Sequence, residues 1–436
     1  MIAFVMSRKN FLKNVTWSLS DKLLRLLLGI VISAAIARHL GVDAFGALNF
    51  SITVLSILTI ITSFGFNKII TREVSSNSRD SSLIVEGLFI FRVLISLISF
   101  FLTIIILLLF FSIDYIYIVI VLFSLFPLSF DVFDFSEQGR NGFKKISLIR
   151  TFSFLSSSVI RLFFIYIGLD FSFFVVAIVL EHTITAFLLY YFVLKKDYKE
   201  LKVRFTSLEK VKPIILESFP EMLAGLFGIL FMKMDQLLIS YYYGKYELGI
   251  YTAATRLTEA WYFIPTAILA VVLPKINRIK IDKGDYTSAI ESSISILVFI
   301  AIIVSIFFNL FSDLIVQVIF GEEYFSSSKI IVIHVWSSVF LCMGLASGTY
   351  LILEGKLKYS LYRNLLGVIT SFAFGLVLIP KLGIEGAAYS TLAGMVSAFF
   401  IFDVFVRELR GLFIFKLKSL FVYKAISFLY SYLRLR

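Results

Sequence analysis

The chain reads as an all-α integral membrane protein, with about twelve transmembrane helices in two six-helix lobes related by a pseudo-twofold axis along the membrane normal. Three observations predict this class. The composition is 59% hydrophobic and only 16% charged, with a mean hydropathy of +0.94, far from a soluble domain. The hydropathy divides into apolar stretches, each near the ~20 residues that a helix needs to cross a bilayer. The 41 Lys and Arg residues are also unevenly placed. The N-terminus, the even-numbered gaps between stretches and the C-terminal tail hold 29 of them, and eight lie in or beside the apolar stretches. The odd-numbered gaps hold four: Arg38, Lys245, Lys329 and Lys381. This bias puts both termini in the cytoplasm.

The spans follow in order, each placed to within a few residues. Helix 1 covers about 14–37, helix 2 about 45–70, helix 3 about 83–111 and helix 4 about 115–136. Helices 5 and 6 cover about 146–167 and 172–194. A polar linker, 195–212, carries seven basic residues and ends at Pro213, which marks a break. Helix 7 is about 214–243, helix 8 about 247–274 and helix 9 about 288–312. Helices 10, 11 and 12 are about 328–353, 358–380 and 384–406. The lobes are therefore 1–212 and 213–411, with a basic amphipathic cytoplasmic tail over 412–436. The apolar run after Arg8, Lys9 and Lys13 is too long for a signal peptide and is read as a retained helix.

Three pairs of segments recur in the same order. Gly41-x4-Gly46 matches Gly244-x4-Gly249. Lys145-Ile-Ser-Leu-Ile-Arg150 matches Lys358-Tyr-Ser-Leu-Tyr-Arg363, and Gly168-Leu-Asp170 matches Gly383-Ile-Glu385. With six helices per unit, the second half enters the membrane in the orientation of the first. Parallel repeats of this kind are typical of secondary transporters, with substrate bound between the halves.

Several chemistries lack their residues. There is no phosphate-binding Gly-x4-Gly-Lys-Ser/Thr loop, no His-Glu-x-x-His and no Gly-x-Ser-x-Gly. One cysteine, Cys342, excludes an internal disulfide and a cysteine metal cluster. The basic residues sit in short inter-helix gaps, which fits an anionic membrane surface rather than nucleic acid.

Charges at membrane depth are the candidates for function, because each is costly there. In helix 1, Asp21 and Arg25 are four apart and share a face; Arg25 either walls a cavity for an anionic head group or snorkels to the interface. Helix 7 aligns Glu217, Glu221 and Asp235 at spacings that share a face, with Lys233 at similar depth. Asp235 is either a Na⁺ or proton coupling site or a static ion-pair partner, and Asp21, Glu221 and Glu259 are further coupling candidates. Arg256 in helix 8 either faces substrate or pairs with Glu259 or Glu221. Arg150 and Arg363 either anchor their helices at the cytoplasmic side or touch a head group there.

These residues also carry a family resemblance. Asn14-x-x-Trp17, Ala37-Arg38-His39-Leu40-Gly41-x4-Gly46 and Ser63-Phe64-Gly65-Phe66 are similar to the N-terminal pattern of polysaccharide-unit flippases. Tyr243-Gly244-x4-Gly249-x-Tyr251-x-x-Ala254 and Pro265 and Pro274 fit as well. These flippases belong to the multidrug/oligosaccharidyl-lipid/polysaccharide exporter superfamily. The resemblance implies no catalysis and no cofactor beyond a coupling Na⁺ or H⁺. It implies a bacterial inner-membrane protein moving an undecaprenyl-pyrophosphate-linked oligosaccharide, of O-antigen or a related polysaccharide, to the periplasmic leaflet. A polysaccharide polymerase and a chain-length regulator are the implied partners. Helices 1, 2, 7 and 8 are expected to line a central cavity, with Arg25, Lys233 and Arg256 toward the pyrophosphate. The alternatives are an organic-cation exporter of the same superfamily, a peptidoglycan-precursor flippase and a membrane polysaccharide polymerase. The first should favour an anionic cavity, the second extra helices, and the third a large external loop.

Overall fold

A computed structural model describes residues 8–76, 81–110, 116–195 and 205–420, which contain helices and turns but no strand. Among the described residues, ten helical segments are long and apolar enough to cross a membrane. Two of them, Asp21–Ser63 with 43 residues and Val211–Ile281 with 71, far exceed the ~20 residues of one crossing. Large apolar side chains stand exposed along many of the segments, such as Ile98, Leu109, Leu310 and Val318. In water such a surface would be prohibitive; against lipid it is the expected exterior.

The helices are α1 (Arg8–Ser63), α2 (Phe66–Ser75), α3 (Ser81–Phe110), α4 (Ile116–Leu122), α5 (Leu125–Leu128) and α6 (Asp131–Gly139). They continue as α7 (Phe143–Tyr166), α8 (Phe171–Leu189), α9 (Phe205–Ala260), α10 (Phe263–Ile281) and α11 (Tyr286–Ile319). The last are α12 (Ser327–His334), α13 (Ser337–Leu353), α14 (Lys358–Leu382), α15 (Ile384–Val396), α16 (Phe402–Phe405) and α17 (Arg410–Ser419).

Two places expected as loops between separate helices are single-residue kinks. Gly41 (φ 74°, ψ 172°) interrupts α1 and Gly244 (φ 81°, ψ −159°) interrupts α9. Both angles lie where a Cβ is strongly disfavoured, so the first glycine of each repeat supplies the bend. The second glycine supplies close approach. A Cβ on Gly46 would lie 1.9 Å from the Lys245 carbonyl oxygen, and one on Gly249 would lie 2.2 Å from that of Val42. The two repeated turns thus press backbone against backbone.

The chain divides into two compact units, Met1–Leu40 with Leu48–Ile229, and Gly41–Ala47 with Leu230–Arg436. This division differs from the expected one at 212/213. The reason lies in α9, which begins at Phe205 and runs through Pro213 and Pro220 as one helix. Its Val211 and Ile214 pack into the first unit's core with Phe66, Ile70, Leu88 and Phe133. The second unit's core gathers Trp261, Leu297, Cys342, Met343 and Leu412. The expected tail begins as α17, but not as a surface helix: Leu412 and Lys416 are buried. The rest of the tail, 421–436, lies outside the described residues.

Candidate functional site

The first unit holds a chain of charges inside its spans. On α1, Arg25 Nη2 donates to Asp21 at 2.8 Å, the pair expected from their spacing. Thr151 on α7 donates to the other Asp21 oxygen at 2.7 Å, which ties the pair to a second helix. One residue earlier on α7, Arg150 donates through Nε to Asp134 at 2.7 Å, and Gln138 donates to the same carboxylate at 2.6 Å. Asp134 is buried. Arg161 pairs with Glu181 at 2.7 Å. Arg92 is only 1% exposed, with Nη2 3.5 Å from Asp131 and with Nε and Nη1 unpartnered among the described residues.

The second unit holds two clusters. In the first, Asp235 is 4% exposed and accepts from the Tyr251 hydroxyl, from Thr391 Oγ1 at 3.1 Å and from the Gln236 backbone N–H at 2.7 Å. Lys233 lies 3.6 Å from Glu259. His334 shares a hydrogen bond of 2.8 Å with Thr258, and its ring stands perpendicular to Tyr251. Arg256 places its guanidinium 5.9 Å from the Phe45 ring centroid, a cation–π arrangement. Three donors on one buried carboxylate offset its desolvation. The oxygens of Asp235, Thr391 and Tyr251 are hard donors suited to a proton or a small monovalent cation. Among the described residues no three His, Cys, Asp or Glu side chains converge as a multivalent metal site.

In the second cluster, Arg363 donates to both oxygens of Asp403 at 2.6 and 2.8 Å and to Ser347 at 3.1 Å. Lys416 Nζ reaches the same Asp403 at 2.7 Å and the Phe399 carbonyl at 2.6 Å. Arg363, Asp403 and Lys416 are all essentially inaccessible.

Several expectations change here. Arg363 does not stand at an open cytoplasmic mouth; Asp403 and Ser347 hold it inside the second unit. Lys416 is not a surface anchor, because its ammonium completes the Asp403 cluster. Glu221 is not a deep coupling group: it is half-exposed and paired with Lys68, beside an Arg72–Glu217 pair. Glu259 lies beside Lys233, and Glu221 pairs with Lys68. Asp134 was findable, since a carboxylate in the apolar run Val132–Phe135 satisfies the same depth argument as the cations. Tyr251 and Thr391 were not, because uncharged hydroxyls give no hydropathy signal.

The family model for polysaccharide biosynthesis proteins matches residues 11–280. The chain belongs to that family. A putative O-antigen transporter of Shigella flexneri is 22% identical over 401 residues, covering 87% of this chain and 94% of that protein. The capsular polysaccharide biosynthesis protein CapF of Staphylococcus aureus is 26% identical over 196 residues, 44% of this chain and 49% of CapF. The match thus spans about half of CapF. Among solved structures, an inward closed conformation of the lipid II flippase MurJ aligns with a TM-score of 0.70 at 16% identity, over 93% of this chain and 91% of that one. An inward-facing multidrug resistance MATE family transporter aligns at 0.69 and 15% identity, over 92% and 96%. At such identities the structures establish the fold alone, the all-α, multi-pass membrane architecture shared with these two proteins. The two solved neighbours are themselves described as a flippase and a multidrug resistance transporter.

Proposed function

We propose that this polysaccharide biosynthesis protein is a flippase for undecaprenyl-pyrophosphate-linked oligosaccharide units of O-antigen or a related polysaccharide. It moves them from the cytoplasmic to the periplasmic leaflet of a bacterial inner membrane, with both its termini cytoplasmic. The observation that carries this reading is the placement of Arg25, Lys233 and Arg256 within membrane-spanning helices of a chain from this family. A pyrophosphate is the costliest part of such a substrate to carry through hydrocarbon. Guanidinium and ammonium groups offset that cost by charge-assisted hydrogen bonds. Arg25 keeps 31% of its side chain exposed beside Asp21, and Lys233 21% beside Glu259, so both can exchange a carboxylate partner for a phosphate. Arg150 is a weaker candidate, held by the buried Asp134, and Arg363 weaker still.

Asp235 is the proposed coupling site, through Na⁺ or a proton. Its three donors satisfy a carboxylate while no cation is bound, and two of them are hydroxyls that can turn to act as ligands. Polymerase and chain-length regulator are the proposed partners downstream.

The test follows lipid-linked oligosaccharide across the two leaflets in a strain lacking this chain. Accumulation in the cytoplasmic leaflet, relieved by wild type and not by Arg25→Ala or Arg256→Ala, is the expected outcome. Normal translocation in the disrupted strain sinks the proposal. Coupling is tested separately: an Asp235→Asn variant with normal transport across a range of pH and Na⁺ removes Asp235 from that role.

A further inference from the structure

The second unit contains a cavity of about 410 Å³ between α10, α13 and α14. Its two sides differ in chemistry. Leu269, Leu273, Leu345 and Phe399 make an apolar wall. Thr349, Ser360, Asn364 and Arg363 make a polar one. Thr349 is only 4% exposed. Gly348 lines the same space, and a Cβ built on it meets nothing within 4 Å.

Charge supplies a second, independent observation. The buried cluster behind the polar wall contains two cations, Arg363 and Lys416, and one carboxylate, Asp403. With all three ionised it carries a net positive charge, and Arg363 forms part of the cavity wall. Exposed Lys275 and Lys358 lie two residues beyond Leu273 and two before Ser360, in even-numbered gaps. The sequence bias assigns those gaps to the cytoplasmic leaflet, where anionic phospholipids concentrate and where basic pockets between helices bind their head groups.

We propose that this cavity is a binding site for one anionic phospholipid of the cytoplasmic leaflet. Its phosphate lies against Asn364 and Ser360, and an acyl chain lies along Leu269, Leu273 and Leu345. Exposed Lys275 and Lys358 on the flanking helices favour a negatively charged head group there. This inference is independent of the transported substrate. It concerns a resident lipid.

Native mass spectrometry of the full chain in mild detergent tests it, with phosphatidylglycerol, phosphatidylethanolamine or a polyisoprenyl phosphate added. Wild type should retain one phosphatidylglycerol in preference to phosphatidylethanolamine. Gly348→Leu, which puts a side chain into the empty space, should reduce that retention by roughly tenfold. Asn364→Leu should reduce it as well, and serves if the first variant does not fold. Thermal unfolding without added lipid checks that each variant is intact. Equal retention of phosphatidylglycerol by wild type and either folded variant overturns the site. Stronger retention of polyisoprenyl phosphate than of phosphatidylglycerol assigns the cavity to a carrier lipid and overturns the resident phospholipid.

Discussion

Arg150 and Arg363 occupy the same place in the two repeats, six residues into Lys-x-Ser-Leu-x-Arg, yet they meet different surroundings. Arg150 keeps 28% of its side chain exposed and takes its carboxylate, Asp134, from α6 just upstream. Arg363 is buried and takes Asp403 from α16, forty residues downstream, with Lys416 of α17 as a third member. The repeat therefore fixes where the arginine enters each unit, while segments outside the repeat decide what it does there. In the first unit the result is an ion pair with access to solvent or ligand. In the second it is an internal fastening that holds the start of the C-terminal segment.

Removing the two carboxylates should separate these roles. Asp403→Ala leaves two buried cations facing each other and should cost about 3–5 kcal/mol, the range for breaking a buried pair from one side. Asp134→Ala should cost less, about 1–3 kcal/mol, because Arg150 can turn toward water. Thermal unfolding of both variants in the same detergent measures the difference; equal losses would mean that burial does not distinguish the repeats.

The interlocked turns offer a change that should affect both repeats alike. Gly46→Ala and Gly249→Ala each drive a methyl group into a carbonyl oxygen, so each should destabilise by about 1–3 kcal/mol or more. Matching losses would confirm that the repeats share the close approach even though their arginines diverge.

Lys416 carries a pH signature that the Arg150 site lacks. Burial, with Arg363 beside it, pushes its ammonium down to about 7 despite the opposing pull of Asp403. Its folded value lies below the usual lysine value of 10.5. The unfolded chain therefore binds more protons between those limits, and stability rises as pH increases from about 7 toward 10.5. Lys416→Met removes this proton, so its melting temperature should rise less with pH than that of wild type. Parallel curves from pH 6 to 9 would show that the lysine stays charged throughout.

The membrane class and the repeated Gly-x4-Gly turns were legible because they rest on local pattern: hydropathy and spacing. The Asp21–Arg25 pair was legible for the same reason, being one helical turn. What stayed hidden was long-range. Nothing near Arg363 announces Asp403, and Lys416 sits in a Lys–aromatic alternation that reads equally as a surface helix. Pro213 suggested a break, yet a proline deprives a helix of only one hydrogen bond, and packing of Val211 and Ile214 outweighs that loss. The polar set around Asp235 was half legible: its charge was visible, its Tyr251 and Thr391 partners were not.

The smallest effect belongs to a partly exposed counterpart of the buried cluster. Glu354 follows α13 and accepts from Lys280 at 2.6 Å and from Tyr286 at 2.9 Å. Those hydrogen bonds hold its carboxyl below the usual value of 4.5. The sign is opposite in consequence to that of an uncharged buried acid. The stabilisation is fully present above about pH 4.5 and fades as pH falls through the lower folded value. Glu354→Gln should therefore cost well under about 1 kcal/mol near neutrality, as for other solvent-accessible pairs, and nothing in strong acid. Added salt should shrink the neutral-pH loss further, whereas the loss in Asp403→Ala, shielded from ions, should hold. A salt-insensitive Glu354→Gln would place that carboxylate in an environment as closed as the Asp403 cluster, and would remove the contrast between fastening in the core and pairing at the surface.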